Sequence, residues 1–439
     1  MRLIIDRAPV PMIVQSREAK MRRTLGLSLL LMSLCGSTAA SSAESFSCPP
    51  AKPGSALIGS IGMNTHFMQG WQYTDFKRVI AMLKDLGVNQ IREGFAGPGR
   101  VPLEVAARAG MKFNFVIDRN WDNLLIEKLE YWEKRFPGSI LSIEGPNEVN
   151  NWPVKFDGLD GIPAAQKFQD ALYSGVKASP ILKHIPVIAM TSYPTFTNAA
   201  DIGNIHVYSR SGGGLIGEID SGTKEEIDHN PDRKKIWITE AGYPTLAGPG
   251  YFEGVSEDVQ ANLLLDLLLN ANRRDIGKVF IYQFLDQYTD RADQQGYFGV
   301  VSLDWREKPA YGAIRNLITI LSRDAGAAPT SRADLSYRLD GLPETAAHAV
   351  YQVSDRSWIV AVWDNRRLWD NTTHRPVPAF ETPVTLVLPQ KNATLTLFDP
   401  VAGSASKAVA KGTDRISFSL IGAPLLLRVD VAGEGGCKK

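Results

Sequence analysis

Short apolar runs alternate along the chain with longer stretches in which apolar residues recur at helical spacing. The runs are rich in Ile, Val and Phe, which is typical of parallel strands buried on both faces. In the first long stretch, Phe76, Val79, Ile80 and Leu83 follow the helical period, and Gly87 predicts its end. Eight runs are predicted to be strands: Leu57–Gly62, Val88–Glu93, Lys112–Asp118, Ile140–Glu144, Pro186–Thr191, Gly203–Tyr208, Lys235–Glu240 and Lys278–Phe284.

Helical patterns occupy the intervals between these runs. Strand–helix alternation repeated eight times predicts an α/β fold, a (β/α)8 TIM barrel rather than an open doubly wound sheet. The glycine fingerprint of a dinucleotide site does not follow the first run. The clearest helical patterns are Phe76–Leu86, Leu124–Phe136, Ala164–Ala178, Val259–Asn272 and Pro309–Leu321.

The composition changes near residues 324–334, where Ala, Gly, Pro, Ser and Thr predominate and predict a linker. Beyond it, short alternating runs separated by turn residues predict a C-terminal β-sandwich domain at 335–433, after a catalytic barrel at 44–323. The predicted sandwich strands are His348–Val353, Trp358–Trp363, Pro383–Leu388, Ala393–Phe398, Arg415–Leu420 and Pro424–Val431.

The N-terminal residues resemble a secretory signal. A pair of arginines precedes the apolar run Leu25–Leu34, and small residues follow up to Ala40. This order predicts a signal peptide region at 1–43, with Met21 as a further candidate start, and a secreted or periplasmic protein. The apolar run is too short for a membrane span.

Charge and motifs exclude several classes of function. The net charge is +1 with mixed signs, so we expect no nucleic-acid partner. Zinc-ligand spacings, a P-loop and the Gly-x-Ser-x-Gly motif of serine hydrolases are missing from the sequence, and we expect no metal and no cofactor. We also expect a monomer. Cys48 and Cys437 either pair in an oxidising compartment or remain free thiols.

Two carboxylates follow predicted strands at the positions where barrel enzymes carry their chemistry. Glu148 follows the fourth strand and Glu240 ends the seventh, so they lie roughly opposite each other at the C-terminal face. A retaining glycosidase needs two carboxyl groups about 5–5.5 Å apart, one as acid/base and one as nucleophile. The sequence therefore predicts hydrolysis of O-glycosidic bonds in a carbohydrate substrate.

The segments around both glutamates resemble clan A glycoside hydrolases, a superfamily of retaining TIM-barrel enzymes. Gly145-Pro146-Asn147-Glu148 looks like the strand-4 signature, and Ile236–Gly242 resembles the strand-7 nucleophile segment. The resemblance implies Glu148 as acid/base, Glu240 as nucleophile and Asn147 as a partner of the sugar 2-hydroxyl. It also implies that a tyrosine and an arginine lie beside the nucleophile, namely Tyr208 and Arg92.

The layout resembles family 39 and its relatives, which include glycosidases of bacterial exopolysaccharides and which carry a C-terminal sandwich. Gly296–Val300 and Lys308–Tyr311 resemble the end of that family's barrel. Strand 8 departs from the clan pattern, because Tyr282–Asp286 contains no tryptophan. The sugar contact usually made by that tryptophan is therefore not assigned.

Other polar and aromatic residues at strand ends are candidate substrate contacts. Each has a structural alternative: a hydrogen-bonded core histidine, an aromatic ring in the packing, a structural ion pair, or a side chain that fills the barrel mouth. The candidates are His66, Arg92, Trp121, Trp152, His206, Tyr208, Tyr243, Gln283 and Asp286.

The sequence thus predicts a secreted retaining glycoside hydrolase that acts on a polysaccharide or oligosaccharide. Two alternatives use the same fold: a transglycosidase, and a carbohydrate-binding protein without turnover. The presence of both carboxylates argues against the second.

Overall fold

The computed structural model describes residues 45–117, 125–191, 197–232, 235–287, 293–323, 329–432 and 437. The predicted signal region lies outside these residues. Within the described ranges, no helix combines the length and the apolar character needed to cross a bilayer.

Eight parallel strands form a closed barrel, which confirms the predicted (β/α)8 TIM fold. Neighbours in the chain are neighbours in the sheet, and a parallel bridge between Ile188 and Ile202 joins the two ends. The strands are β1 (Ile61–Asn64), β2 (Gln90–Gly94), β3 (Lys112–Val116), β4 (Ile140–Glu144), β5 (Val187–Ile188), β6 (Gly203–Tyr208), β7 (Ile236–Gly242) and β8 (Val279–Ile281).

Helices surround the barrel, and sequence signals set their ends. At the first crossover helix, the Asp75 side chain accepts a hydrogen bond from the Arg78 amide, and Gly87 takes the left-handed conformation that ends the helix. The helices are α1 (Gly54–Ile58), α2 (Phe76–Leu86), α3 (Val101–Arg108), α4 (Leu125–Arg135), α5 (Gly161–Ala178), α6 (Ile216–His229), α7 (Glu257–Arg273) and α8 (Pro309–Ser322).

Two details of the predicted alternation are wrong. The first strand was placed at Leu57–Gly62, but Leu57 and Ile58 belong to α1 and the strand begins at Ile61. The connection from β5 to β6 contains no helix within its described residues, 189–191 and 197–202. A run of four to six apolar residues does not distinguish a buried strand from a buried helical turn, which explains the first error.

The C-terminal domain is a β-sandwich, as predicted. The strands are β9 (Arg338–Asp340), β10 (Ala346–Ser354), β11 (Ser357–Asp364), β12 (Thr382–Val387), β13 (Ala393–Phe398), β14 (Ser406–Thr413), β15 (Arg415–Leu420) and β16 (Leu425–Val431). The larger sheet has six strands in the order Lys52–Pro53, β10, β11, β16, β13, β14, and the smaller sheet has the order β9, β12, β15.

The centre of the larger sheet is buried on both faces because it packs on the barrel as well as on the smaller sheet. Alternate residues of β11 divide between two apolar clusters: Ile359, Ala361 and Trp363 face the barrel, while Trp358 and Val360 face the smaller sheet. Helix α7 lies at this junction and is buried nearly all round, with 13 of its 17 residues buried.

The N-terminal segment is tied to the C-terminal domain. Lys52–Pro53 pairs in parallel with β10, and Ser47 pairs with Tyr337. Cys48 and Cys437 form a disulfide with their Cα atoms 6.3 Å apart. The sequence left this pairing open, and the structure resolves it in favour of the bond, which fits an oxidising environment.

Candidate active site

The Arg92 guanidinium, at the C-terminal end of β2, organises the base of the barrel mouth. Its Nε and Nη2 donate to the Glu144 carboxylate, with Nη2 at 2.7 Å from Oε1. Nη1 donates to Asn64 Oδ1 at 3.1 Å and to Glu240 Oε1 at 2.5 Å. Nη2 also donates to Asn147 Oδ1 at 2.7 Å. One buried cation thus fixes four side chains from four strands and loops.

Glu240 is the better buried of the two predicted catalytic carboxylates, with 8% of its surface exposed. Besides Arg92, Tyr208 Oη donates to its Oε2 at 2.7 Å. A register irregularity in β7 between Ile238 and Glu240 allows consecutive residues, Thr239 and Glu240, both to bond inside the barrel. Both oxygens of Glu240 are therefore held in place by hydrogen-bond donors.

Glu148 follows β4 in a left-handed conformation, with φ of 41°, which is uncommon for a residue other than glycine. Its amide donates to Thr191 Oγ1 at 2.9 Å, and its Oε2 accepts from Asn151 Nδ2 at 3.0 Å. Burial raises the pKa of this carboxyl, but the hydrogen bond and charge of His206, with the Asn151 bond, outweigh it and lower the pKa to about 2. Glu148 is therefore ionised when His206 is protonated.

His206 lies between the two carboxylates. Its Nδ1 is 3.1 Å from Glu148 Oε1 and 3.6 Å from Glu240 Oε2, and its Nε2 is 3.0 Å from Thr239 Oγ1. Burial lowers its pKa, but the neighbouring Glu240 and Glu148 outweigh burial, and the net pKa lies above the usual value. The imidazolium is thus the proton carrier nearest to Glu148.

The carboxylates of Glu148 and Glu240 approach each other closely. One oxygen from each, together with a His206 nitrogen, lies within 4.8 Å of the others. Such a trio resembles a metal site, but the Arg92 guanidinium lies against Glu240 Oε1 and would repel a further cation. The donor set therefore favours acid–base and nucleophilic chemistry.

His66 and Gln283, both predicted substrate contacts, lie together beside this centre. His66 is half-buried, while Gln283 is fully buried and accepts from Gln287 Nε2 at 2.8 Å. Burial and the Arg92 charge lower the His66 pKa to about 4, against an opposing contribution from Gln283. His66 is therefore a neutral imidazole at the edge of the site, and the buried Gln283 lies next to it.

The structure does not bring Tyr243 or Asp286 to the mouth as sugar contacts. Tyr243 is 1% exposed and its ring packs in the apolar core outside the barrel. Asp286 is buried and accepts from Lys308 Nζ at 2.8 Å and from the Gly299 amide at 2.8 Å. Burial, opposed by the Lys308 charge, raises its pKa to about 6. Both positions favour structural roles.

The two tryptophan candidates differ in outcome. Trp152 follows Glu148 by four residues, is 45% exposed, and its amide donates to the Glu148 carbonyl at 2.8 Å. Trp152 is therefore accessible to a ligand that binds near Glu148. Trp121 lies outside the described residues.

The sequence reasoning missed several residues of the site, among them Glu144 and Tyr282. Glu144 is the last residue of β4 and fully buried against Arg92; an acidic residue at a strand end was the available signal. Tyr282 follows β8, and its ring contacts those of His66, Tyr208 and Phe298 at centroid distances of 5.8, 6.2 and 5.5 Å. The position after β8 therefore carries an aromatic ring, but the residue is a tyrosine and not the tryptophan of the clan pattern.

Comparison with solved structures places the fold among glycoside hydrolases. A family 39 glycoside hydrolase from the gut symbiont Bacteroides cellulosilyticus WH2 matches with a TM-score of 0.56 and 14% identity over 87% of this chain and 81% of that chain. At this identity the match shows the fold alone, a TIM barrel with a C-terminal β-sandwich. No family model and no curated protein matches the sequence.

Two further matches each cover a little over half of this chain. A family 17 β-1,3-glucanosyltransferase from Rhizomucor miehei has a TM-score of 0.45 and 16% identity over 58% of this chain and 97% of that chain. A β-D-glucuronidase from Dictyoglomus thermophilum has a TM-score of 0.44 and 14% identity over 59% of this chain and 50% of that chain. The fold comparison therefore rests on the family 39 match, whose coverage of this chain extends over both domains.

Proposed function

We propose that this protein is a secreted retaining glycoside hydrolase that cleaves O-glycosidic bonds of a polysaccharide or oligosaccharide by double displacement. The observation that carries the proposal is the close approach of Glu148 and Glu240, with carboxylate oxygens within 4.8 Å. Retaining enzymes need about 5–5.5 Å between their carboxyl groups, whereas inverting enzymes need about 6.5–9.5 Å to admit a water.

In the first step, Glu240 attacks the anomeric carbon and the glycosidic C–O bond breaks. Arg92 and Tyr208 hold both oxygens of Glu240, which orients the nucleophile towards the anomeric carbon. The leaving oxygen takes a proton from Glu148. The amide oxygen of Asn147 accepts from Arg92, and its NH2 group, which has no partner among the described residues, donates to the sugar 2-hydroxyl.

The proton that Glu148 delivers comes from His206. Glu148 is ionised next to the imidazolium, so the two groups titrate as one unit that carries a single proton 3.1 Å from the acid/base oxygen. A glycan that excludes water raises the energy of the ionised carboxylate and draws that proton towards Glu148.

In the second step, water attacks the anomeric carbon of the glycosyl-enzyme and the bond to Glu240 breaks. Glu148, now ionised, accepts the proton from that water, and the product retains its anomeric configuration. A sugar acceptor in place of water would give transglycosylation with the same residues. Two carboxylates lie close together, and Glu148 shares a proton with His206. This combination favours catalysis over sugar binding alone.

Azide rescue of paired variants tests the proposal and assigns the roles. The substrates are aryl glycosides with good leaving groups, chosen from those that wild-type protein hydrolyses. Azide should restore turnover of Glu148→Ala and give a glycosyl azide of retained configuration, because the small anion occupies the acid/base space. Azide should give the inverted glycosyl azide with Glu240→Ala.

A matched control is Glu133→Ala, since this buried glutamate lies on α4 away from the mouth. Its turnover should follow wild type without azide. Full activity of Glu240→Ala, or azide products of the opposite configurations, would contradict the assigned roles.

A further inference from the structure

An arginine and a tyrosine form a stacked pair in the loops that follow β6 and β7. Arg210 lies two residues after Tyr208, and its guanidinium carbon is 4.0 Å from the centroid of the Tyr251 ring. Arg210 Nη2 also donates to Tyr251 Oη at 2.7 Å. Stacking on an aromatic face and the hydrogen bond together hold the guanidinium in one orientation.

This pair is continuous with the nucleophile through one aromatic ring. The Phe252 ring lies 5.0 Å from the Tyr208 ring and 4.7 Å from the Tyr251 ring, measured between centroids. Tyr208 in turn donates to Glu240. Because both loops follow the C-terminal ends of barrel strands, the pair lies at the same face as the carboxylates.

The pair is exposed, and its charge is not compensated. Tyr251 remains 61% exposed with Arg210 stacked on it, and Arg210 is itself exposed. Within the described ranges, no carboxylate forms an ion pair with Arg210. The acidic residue nearest in sequence to Tyr251, Glu253, is buried and accepts from Trp369 Nε1 at 2.8 Å and from His374 Nδ1 at 2.7 Å.

The sandwich domain adds a second cation to this rim, and no carboxylate among the described residues forms an ion pair with it. Arg367 is exposed, and its Nη2 donates to the carbonyl of Ser211, the residue after Arg210, at 3.3 Å. The loop approaches the sandwich closely at Gly212, whose φ is 66° and where a Cβ would lie 2.7 Å from the Trp369 ring. The sandwich therefore fixes the position of the loop that carries Arg210.

We infer that Arg210 and Tyr251 form a subsite for an acidic sugar, a uronate unit of the glycan held between Glu148 and Glu240. The inference rests on the proposed function and names its substrate class. The guanidinium presents a planar fork that pairs with a carboxylate through two hydrogen bonds. The Tyr251 ring offers an apolar surface to the C–H face of the same sugar, and Arg367 strengthens the positive field of the rim.

Binding to acidic polymers and their neutral counterparts tests this subsite. Full-length protein carrying Glu240→Gln, which blocks turnover, is titrated with polygalacturonate, polyglucuronate, alginate and hyaluronan, and with each polymer after its carboxyl groups are reduced to alcohols. At least one acidic polymer should bind about ten- to a hundredfold tighter than its reduced form. The preference should weaken as salt is raised.

Variants separate charge from stacking. Arg210→Gln should bring the ratio of acidic to reduced binding close to one while it leaves binding of the reduced polymer unchanged. Tyr251→Ala should weaken binding of both forms. Arg108→Gln is the matched control, because this exposed arginine ends α3 at the opposite end of the barrel, and it should keep the parent's preference.

Equal binding of acidic and reduced polymers, no binding of any acidic polymer, or the same result for Arg210→Gln and Arg108→Gln would overturn the inference. The proposed function is judged separately, by azide rescue of the Glu148 and Glu240 variants on neutral aryl glycosides. If azide rescue fails, the effect of Arg210→Gln on polymer binding can still be measured. If acidic and reduced polymers bind equally, the catalytic roles of Glu148 and Glu240 are unaffected.

Discussion

His206 Nδ1 lies 3.1 Å from Glu148 Oε1, so the proposed acid/base shares its proton with an imidazole. The charge of His206 lowers the pKa of Glu148, and the two carboxylates raise the pKa of His206 above its usual value. The protonation state of the pair therefore follows the histidine rather than the carboxyl alone.

Replacement of His206 should move the alkaline limb of the pH profile. In wild type, kcat/KM should fall as pH rises through the raised pKa of His206, because the proton for the leaving group is lost. In His206→Gln, Glu148 titrates alone as a carboxylic acid, so the limb should shift to lower pH. A profile of kcat/KM on a substrate with a poor leaving group measures this shift.

A substrate with an activated leaving group provides the control, since its departure needs little proton donation. The alkaline limb of wild type should be weaker on that substrate. An unchanged limb in His206→Gln on the poor leaving group would show that His206 does not supply the proton.

Arg92→Lys should lower kcat by about 10²–10³-fold while it keeps the positive charge. A lysine cannot reach Glu144, Asn147 and Glu240 at once, so the nucleophile and the amide lose their fixed positions. Steady-state kinetics on an aryl glycoside measure the loss. Wild-type kcat with an unchanged thermal midpoint would mean that charge alone, rather than the fork geometry, is required.

Lys308→Met should destabilise the fold by about 3 kcal/mol, because it leaves Asp286 buried without its cation. The surface pair of Arg306 and Glu257, at 2.7 Å, is the matched control, and Arg306→Gln should cost less than about 1 kcal/mol. Denaturant unfolding measures both. If Asp286 bound substrate, Asp286→Asn would raise KM without lowering stability, and the structural assignment would fail.

Loss of the disulfide should lower stability by about 2–5 kcal/mol. Cys48→Ser with Cys437→Ser removes the covalent link between the two ends of the described chain. Thermal unfolding of the double variant measures the loss, and peptide mapping of wild type without reduction should recover the two cysteines in one linked peptide. Their recovery as free thiols would contradict the pairing.

Strand content was predictable where burial imposes a clear pattern. Strands β4 and β6 match their predicted bounds because each is a short apolar run that polar residues follow. Strand β14, Ser406–Thr413, was missed because it pairs on only one side and is mostly exposed, so no apolar alternation marks it.

Site residues could be predicted where a sequence motif marks the end of a strand, but not where a backbone irregularity decides the direction of the side chain. The two motifs that contain Glu148 and Glu240 indicated a pair of carboxylates at the barrel mouth, and their oxygens do lie close together. Arg92 and Tyr208 lie beside Glu240, as the resemblance implies. Tyr243 could not be placed, because the irregularity in β7 changes which residues face inward and the sequence carries no sign of it.

The stereochemistry of the first product tests the central claim most directly. NMR of a reaction followed from its first minutes distinguishes the anomer released by the enzyme from the one formed later by mutarotation. The account predicts that the first sugar released keeps the configuration of the substrate, because Glu240 attacks before water does. Initial release of the opposite anomer would contradict it.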